Sequence, residues 1–275
     1  MAKELFPGSV VWITGASAGI GRALAQKFAE HGARVAVSAR RAERLADAVR
    51  EIEAKGSEGL AVACDVRDET SVRDAVQQVI ARFGKLDVAV ANAGMSVRGK
   101  IKDLTAEDWR RQFDTNVVGV ALTARFALPE LERTKGRLAL VASVAALLPT
   151  PGTGAYSASK YAVRSIGQTL AVECHAAGVS CTTIHPGYVE SDIALVDADG
   201  RLDPNLEDPR PKNLMWPTER AADVMLRAIY KRKREYVFTG HGKVGAFFGQ
   251  HMPGLIHLAL VRGGAKRALP RRDSA

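Results

Sequence analysis

In "GAYSASKYAVRS" a phenol at Tyr156 and an amine at Lys160 stand four positions apart. If the segment is helical, both side chains leave the same face. A free phenol titrates near about 10, too high for a ready proton exchanger at neutral pH. A neighbouring ammonium favours the phenolate and would draw that value toward the working range. Upstream, Ser143 in "VASVAA" could donate a hydrogen bond to a carbonyl oxygen lying beside the phenol. Together the three side chains are suited to moving a proton on or off an oxygen bonded to a reacting carbon.

A second group of residues is suited to holding a large anion. In "VWITGASAGIGRALAQKF" an apolar run breaks at Gly15 and a helical pattern follows Gly19 and Gly21. Free backbone N–H groups at a helix start form a site for a pyrophosphate. A side chain at Gly19 or Gly21 would block that approach or hold helix and strand apart. The spacing G-x-x-x-G-x-G differs from the commoner G-x-G-x-x-G pattern. At the end of the next apolar run, "RVAVSARRAERL" has Arg40 and Arg41 where a carboxylate would mark a free ribose. Guanidinium groups hold a 2′-phosphate in charge-assisted hydrogen bonds, so NADP is expected in preference to NAD. Arg41 also reads as a solvated charge at a helix entry. Asp65 in "ACDV" could accept from an adenine amino group or cap the following helix.

Those residues need a frame, and the chain supplies one. Short apolar segments at Ser9–Thr14, Arg34–Ser38, Leu60–Ala63, Asp87–Ala91, Arg137–Ala142, Val179–His185 and Tyr236–Phe238 alternate with helical patterns. The helical patterns cover Ile20–His31, Ala42–Ala54, Glu69–Phe83, Ala106–Leu131, Ala155–Ala177 and Thr218–Arg232. That alternation predicts one doubly wound α/β domain with a parallel sheet covered on both faces. A hydrophobic fraction of 47% in 275 residues permits a substantial core. The net charge of +9 is spread along the chain apart from "KRKR" at Lys231–Arg234 and the basic end, and no nucleic-acid module accompanies it. Cys64, Cys174 and Cys181 form no CxxC pair, so buried reduced thiols are expected and no metal site. With no leader-like start and no apolar run of about 20 residues, the expected setting is cytoplasmic. The polar, proline-containing stretch 188–217 reads as a loop covering a substrate, or else as a disordered excursion.

The ordered set Thr14-Gly15-x-x-x-Gly19-Ile20-Gly21, Asn92-Ala93-Gly94, Asn116 in "FDTNVVG", Ser143, Tyr156-x-x-x-Lys160 and Pro186-Gly187 resembles the short-chain dehydrogenase/reductase family. The resemblance covers nearly all of residues 9–240. It implies a Rossmann-type sheet of about seven strands in a single domain over 1–240, and nicotinamide-dependent hydride transfer. It implies four catalytic residues: Tyr156 as acid or base, Lys160 on the nicotinamide ribose, Ser143 on the substrate oxygen, and Asn116 holding a relay water. Cofactor contacts implied or read above fall on Gly15, Ser17, Gly19, Ile20, Gly21, Arg40, Arg41, Asp65, Val66, Asn92, Ala93, Gly94, Tyr156, Lys160, Pro186, Gly187, Val189 and Ser191. Ala18 departs from the basic residue frequent in NADP-binding members, which leaves the selection of phosphate to Arg40 and Arg41. Substrate contacts are implied near Met95–Lys100 and Ala145–Gly154 and in the loop after Pro186, where most residues are small or apolar and Arg98 and Lys100 stand out. Pairing through the helical segments Ala106–Leu131 and Ala155–Ala177 into a homodimer or homotetramer is implied as well.

Residues 241–275 extend past this pattern with apolar residues such as Phe247, Phe248, Leu255 and Leu258 between basic flanks. Packing over the cleft or on a partner subunit is the favoured reading, and an interfacial membrane helix the alternative. A carbonyl–alcohol oxidoreductase on a moderately apolar substrate is the leading functional expectation. A nucleotide-sensing protein without catalysis is the alternative, and the intact set Asn116, Ser143, Tyr156 and Lys160 argues against it.

Overall fold

A computed structural model describes residues 4–148, 150–195, 208 and 210–262. Seven strands form one parallel sheet in the order β3-β2-β1-β4-β5-β6-β7. The strands are β1 (Val10–Thr14), β2 (Arg34–Ala39), β3 (Gly59–Ala63), β4 (Val88–Ala91), β5 (Arg137–Val141), β6 (Ser180–His185) and β7 (Glu235–Val237). Their small and β-branched residues point alternately to two buried faces. Val11 and Ile13 of β1 pack on one side with α1 (Gly19–Glu30), α2 (Ala42–Glu53) and α7 (Thr218–Tyr230). Val10 and Trp12 pack on the other with α3 (Glu69–Phe83), α5 (Gly119–Thr134) and α6 (Gly154–Glu173). Burial on both faces explains why the strands read as continuous apolar runs. The expected Rossmann-type sheet of about seven strands is therefore present. Cys64, Cys174 and Cys181 are free and buried, and burial pushes the Cys181 thiol up to about 12.

One expected helix is not uniform. The pattern over Ala106–Leu131 resolves into α4 (Ala106–Phe113), a π-helical turn at Asp114–Val118, and α5. A capping box at Thr105 and Asp108 starts α4. The wide turn carries Asn116, and such local widening often marks a functional position.

Past the sheet, α8 (Gly240–His251) and α9 (Pro253–Arg262) meet at an angle of 112°. Among the described residues no single helix is long and apolar enough to cross a membrane. The expected loop 188–217 and extension 241–275 lie partly outside the described residues, at 196–207 and 209 and at 263–275.

Candidate active site

The parallel strands end at a cleft of about 910 Å³. Every cofactor residue expected from the sequence lines it, as do Ser143, Tyr156 and Lys160, but Asn116 does not. At one end of the cleft, α1 follows its N-cap Ala18 without a side-chain cap and without an acidic residue in its first turn. Its leading N–H groups therefore face the cleft with no carboxylate to repel an anion. A Cβ at Gly21 would lie 2.5 Å from Asn92 Nδ2 and 2.6 Å from the Gly15 carbonyl oxygen, so glycine is what lets helix and strand approach. Asn92 joins β1 to β4, its Nδ2 donating to Thr14 O at 2.9 Å and to Gly15 O at 3.1 Å.

One expectation here changes, the alternative that Asp65 caps the following helix. Asp65 is paired with Arg67, Nη2 to Oδ2 at 2.6 Å, so its carboxylate already has a cation. The cap of α3 is Asp68, which accepts from Ser71 N at 3.1 Å, and not Asp65. The Ser191 hydroxyl accepts from Arg210 Nη1 at 3.1 Å.

At the other end, Tyr156 and Lys160 share one face of α6, with Nζ 5.8 Å from the phenol ring centroid. Lys160 is fully buried and donates to the Val141 carbonyl at 2.8 Å. Burial alone lowers its pKa to about 8. The expectation that Tyr156 titrates below its ordinary value is corrected. Burial pushes the phenol upward, against the neighbouring Ser143 hydroxyl and the positive charges of Arg210 and Arg98. Desolvation of the phenolate outweighs the cations around it, so the phenol is held protonated.

Asn116 sits one layer behind. Its Oδ1 accepts from Met95 N at 2.9 Å, and its Nδ2 donates to Met95 O at 3.0 Å and to Ser159 Oγ at 3.0 Å. A Cβ on Gly94 would lie 3.3 Å from Asn116 Oδ1 and 3.5 Å from Lys160 Nζ, so the amide is close to the amine across a bare backbone.

Sequence reasoning missed Gln112, which is fully buried beside Asn116. Its Oε1 accepts from Val97 N at 2.6 Å and its Nε2 donates to Met95 O at 2.9 Å, fixing the cleft wall from below. It also missed Arg210, which donates to Val189 O at 2.9 Å and Ser191 O at 2.7 Å and pairs with Asp208 at 2.7 Å. With Trp216 N donating to Tyr188 O and Glu190 N to Trp216 O, both at 3.0 Å, it closes the stem of the loop 188–217. On the substrate side Arg98 lines the cleft and Lys100 does not.

The helix α8 packs on the turn that follows Ser143. Gly245 faces Leu148, and a Cβ on Gly249 would overlap the Leu147 carbonyl oxygen. Leu148 of that turn lines the cleft, while Phe247, Leu255 and Val261 of α8 and α9 remain exposed. Gly249→Ala is expected to destabilise the fold by about 1–3 kcal/mol, because the overlap is with backbone that must move. Urea unfolding of the variant beside wild type measures that loss.

A profile described as short chain dehydrogenase matches residues 9–199. A short chain dehydrogenase of Pseudocercospora fijiensis is 38% identical over 205 residues, covering 72% of this chain and 66% of that protein. A short chain dehydrogenase of Burkholderia cenocepacia solved with NADP superposes with a TM-score of 0.76 at 28% identity, covering 86% of this chain and 99% of that one. One from Burkholderia phymatum solved with NAD gives 0.78 at 27% identity, covering 98% and 99%. Further similar chains hold NADH or NAD. The expected preference for NADP over NAD is thus overturned, since comparable relatives hold either dinucleotide. The physical reason lies in the argument from Arg40 and Arg41. A missing carboxylate removes repulsion from a 2′-phosphate, but guanidinium groups can equally donate to a free ribose hydroxyl.

Proposed function

This chain belongs to the short-chain dehydrogenase family, and on that premise we propose that it interconverts a carbonyl and a secondary alcohol with a nicotinamide dinucleotide. One observation carries the reading. Ser143, Tyr156 and the buried Lys160 line one cleft with the uncapped start of α1. The first turn of α1 would hold the diphosphate, Asn92–Gly94 and Arg40 the adenosine side, and Lys160 the ribose hydroxyls beside the nicotinamide. When bound, the nicotinamide supplies or accepts the hydride. Tyr156, kept protonated by burial, donates its proton to the substrate oxygen in reduction and takes it back in oxidation. Ser143 sits beside that oxygen and holds it against the phenol, its own Oγ anchored by Ala145 N at 3.1 Å.

Met95, Val144, Leu148, Ile193 and Leu214 line the substrate end with Arg98, Arg210 and His241. This lining suits a moderately apolar carbonyl compound. Val118, Tyr161 and Val172 are exposed on the helical segments through which a homodimer or homotetramer would pair, which supports that assembly. Turnover of a panel of ketones and aldehydes with NADH and with NADPH tests the function. Oxidation of either dinucleotide that depends on a carbonyl substrate is expected. Binding of dinucleotide with no turnover across the panel overturns the enzymatic reading.

A further inference from the structure

The α6 stripe does not stop at Lys160. Arg164 follows at the same four-residue spacing and turns away from the cleft toward β7. Its Nε lies 2.7 Å from Glu235 Oε1. The same oxygen lies 2.8 Å from His185 Nε2 at the end of β6, in an alignment that falls short of a hydrogen bond. The His185 ring has no exposure to solvent, and its Nδ1 is 3.0 Å from the Ser143 carbonyl oxygen.

Both ring nitrogens therefore face oxygen atoms that only accept. A ring with one proton would point a lone pair at the carbonyl or at the carboxylate, in an interior where that repulsion is poorly screened. A ring with two protons donates to the carbonyl and opposes the carboxylate charge. The Glu235 carboxyl is held down to about 2, chiefly by His185 and then by Arg164, against its own burial.

The peptide unit joining Ser143 to Val144 is consequently gripped at both ends by consecutive residues of one chain segment. Its oxygen meets His185, and its N–H donates to the Pro186 carbonyl at 2.9 Å. Arg164 connects this grip to the helix that carries Tyr156. On α8, the Gln250 amide oxygen, turned toward Arg164, lies 2.7 Å from Nη2 and brings the extension into the same contact.

We propose that His185 is an imidazolium that, through Glu235 and Arg164, holds Ser143 in register with Tyr156. It is a positioning residue for the carbonyl reaction, and this role rests on the function proposed above. None of His185, Glu235 and Arg164 lines the cleft, so breaking the relay should slow the reaction and leave binding alone.

The test uses the full chain with ¹⁵N-labelled histidine and the variant Glu235→Gln, which keeps shape and removes charge. The wild-type ring is expected to carry protons on both nitrogens at about pH 7 and to lose one in Glu235→Gln. The variant is expected to lose about 10- to 100-fold in kcat, the scale set by small misplacement of a reacting group. Its dinucleotide affinity should be unchanged by fluorescence titration, and Glu235→Asp should recover part of kcat. A wild-type ring with a single proton, or a folded Glu235→Gln protein with wild-type kcat, overturns the proposal. The ring measurement needs no substrate, so it still decides the relay if Glu235→Gln does not fold. Failure of the functional reading shows separately, as a wild-type protein without carbonyl turnover.

Discussion

Tyr156→Phe is expected to lower kcat for carbonyl reduction by about 10³-fold, within the range assigned to a positioned proton donor. Phenylalanine keeps the ring and removes only the O–H, so the cleft should keep its shape. The lost group is the one whose pKa burial raises. A phenol kept protonated is ready to give its proton to an oxygen gaining electrons. In the reverse direction it must first lose that proton. Alcohol oxidation should therefore climb with pH through a range where reduction does not, and this contrast should vanish in Tyr156→Phe. Dinucleotide affinity should change by no more than about twofold, since the ring that lines the cleft is kept. Steady-state kinetics in both directions and fluorescence titration check these outcomes. A variant that retains more than a tenth of wild-type kcat would remove Tyr156 from the proton path.

The sequence displayed those features that are local. Tyr156 and Lys160 share a helix face because of their spacing alone, and the turn at Gly15–Gly21 announces itself by residue type. The strands at the sheet centre were equally legible, since both their faces are buried and their positions are almost all apolar. What stayed hidden joins distant segments. Arg164 meets Glu235 across 71 residues, and His185 meets Ser143 across 42, with no periodicity to connect them. Gln112 reads as one more polar residue of an amphipathic helix until its amide is seen bonded to the Met95–Val97 backbone. The π-turn at Asn116 was invisible for another reason. It changes backbone pairing without disturbing the apolar pattern around it. Arg40 and Arg41 show the limit of residue type, because a guanidinium at that strand end serves two ribose chemistries.

Lys160→Met should separate the needs of catalysis from those of stability. The amine is buried with only the Val141 carbonyl as its hydrogen-bond partner, and desolvation is the single cause of its lowered pKa. Loss of the ammonium from the cleft is expected to reduce kcat by about 10²-fold or more. Stability should move the other way. A lysine that titrates at 10.5 when unfolded and at about 8 when folded is bound to more protons in the unfolded chain between those values. The cost of burying its charge is thus fully present below about pH 8 and is relieved as pH rises toward 10.5. That cost is about 3 kcal/mol at 1.36 kcal/mol per unit. Against it stands the Val141 carbonyl left without its donor, worth about 1 kcal/mol. The variant is therefore expected to be about 2 kcal/mol more stable than wild type at neutral pH, with the gap narrowing as pH rises past 8. Urea unfolding of both proteins across that range measures the gap directly. If Lys160→Met proves less stable than wild type by an amount independent of pH, the ammonium is not buried at a cost, and its role is to support the fold.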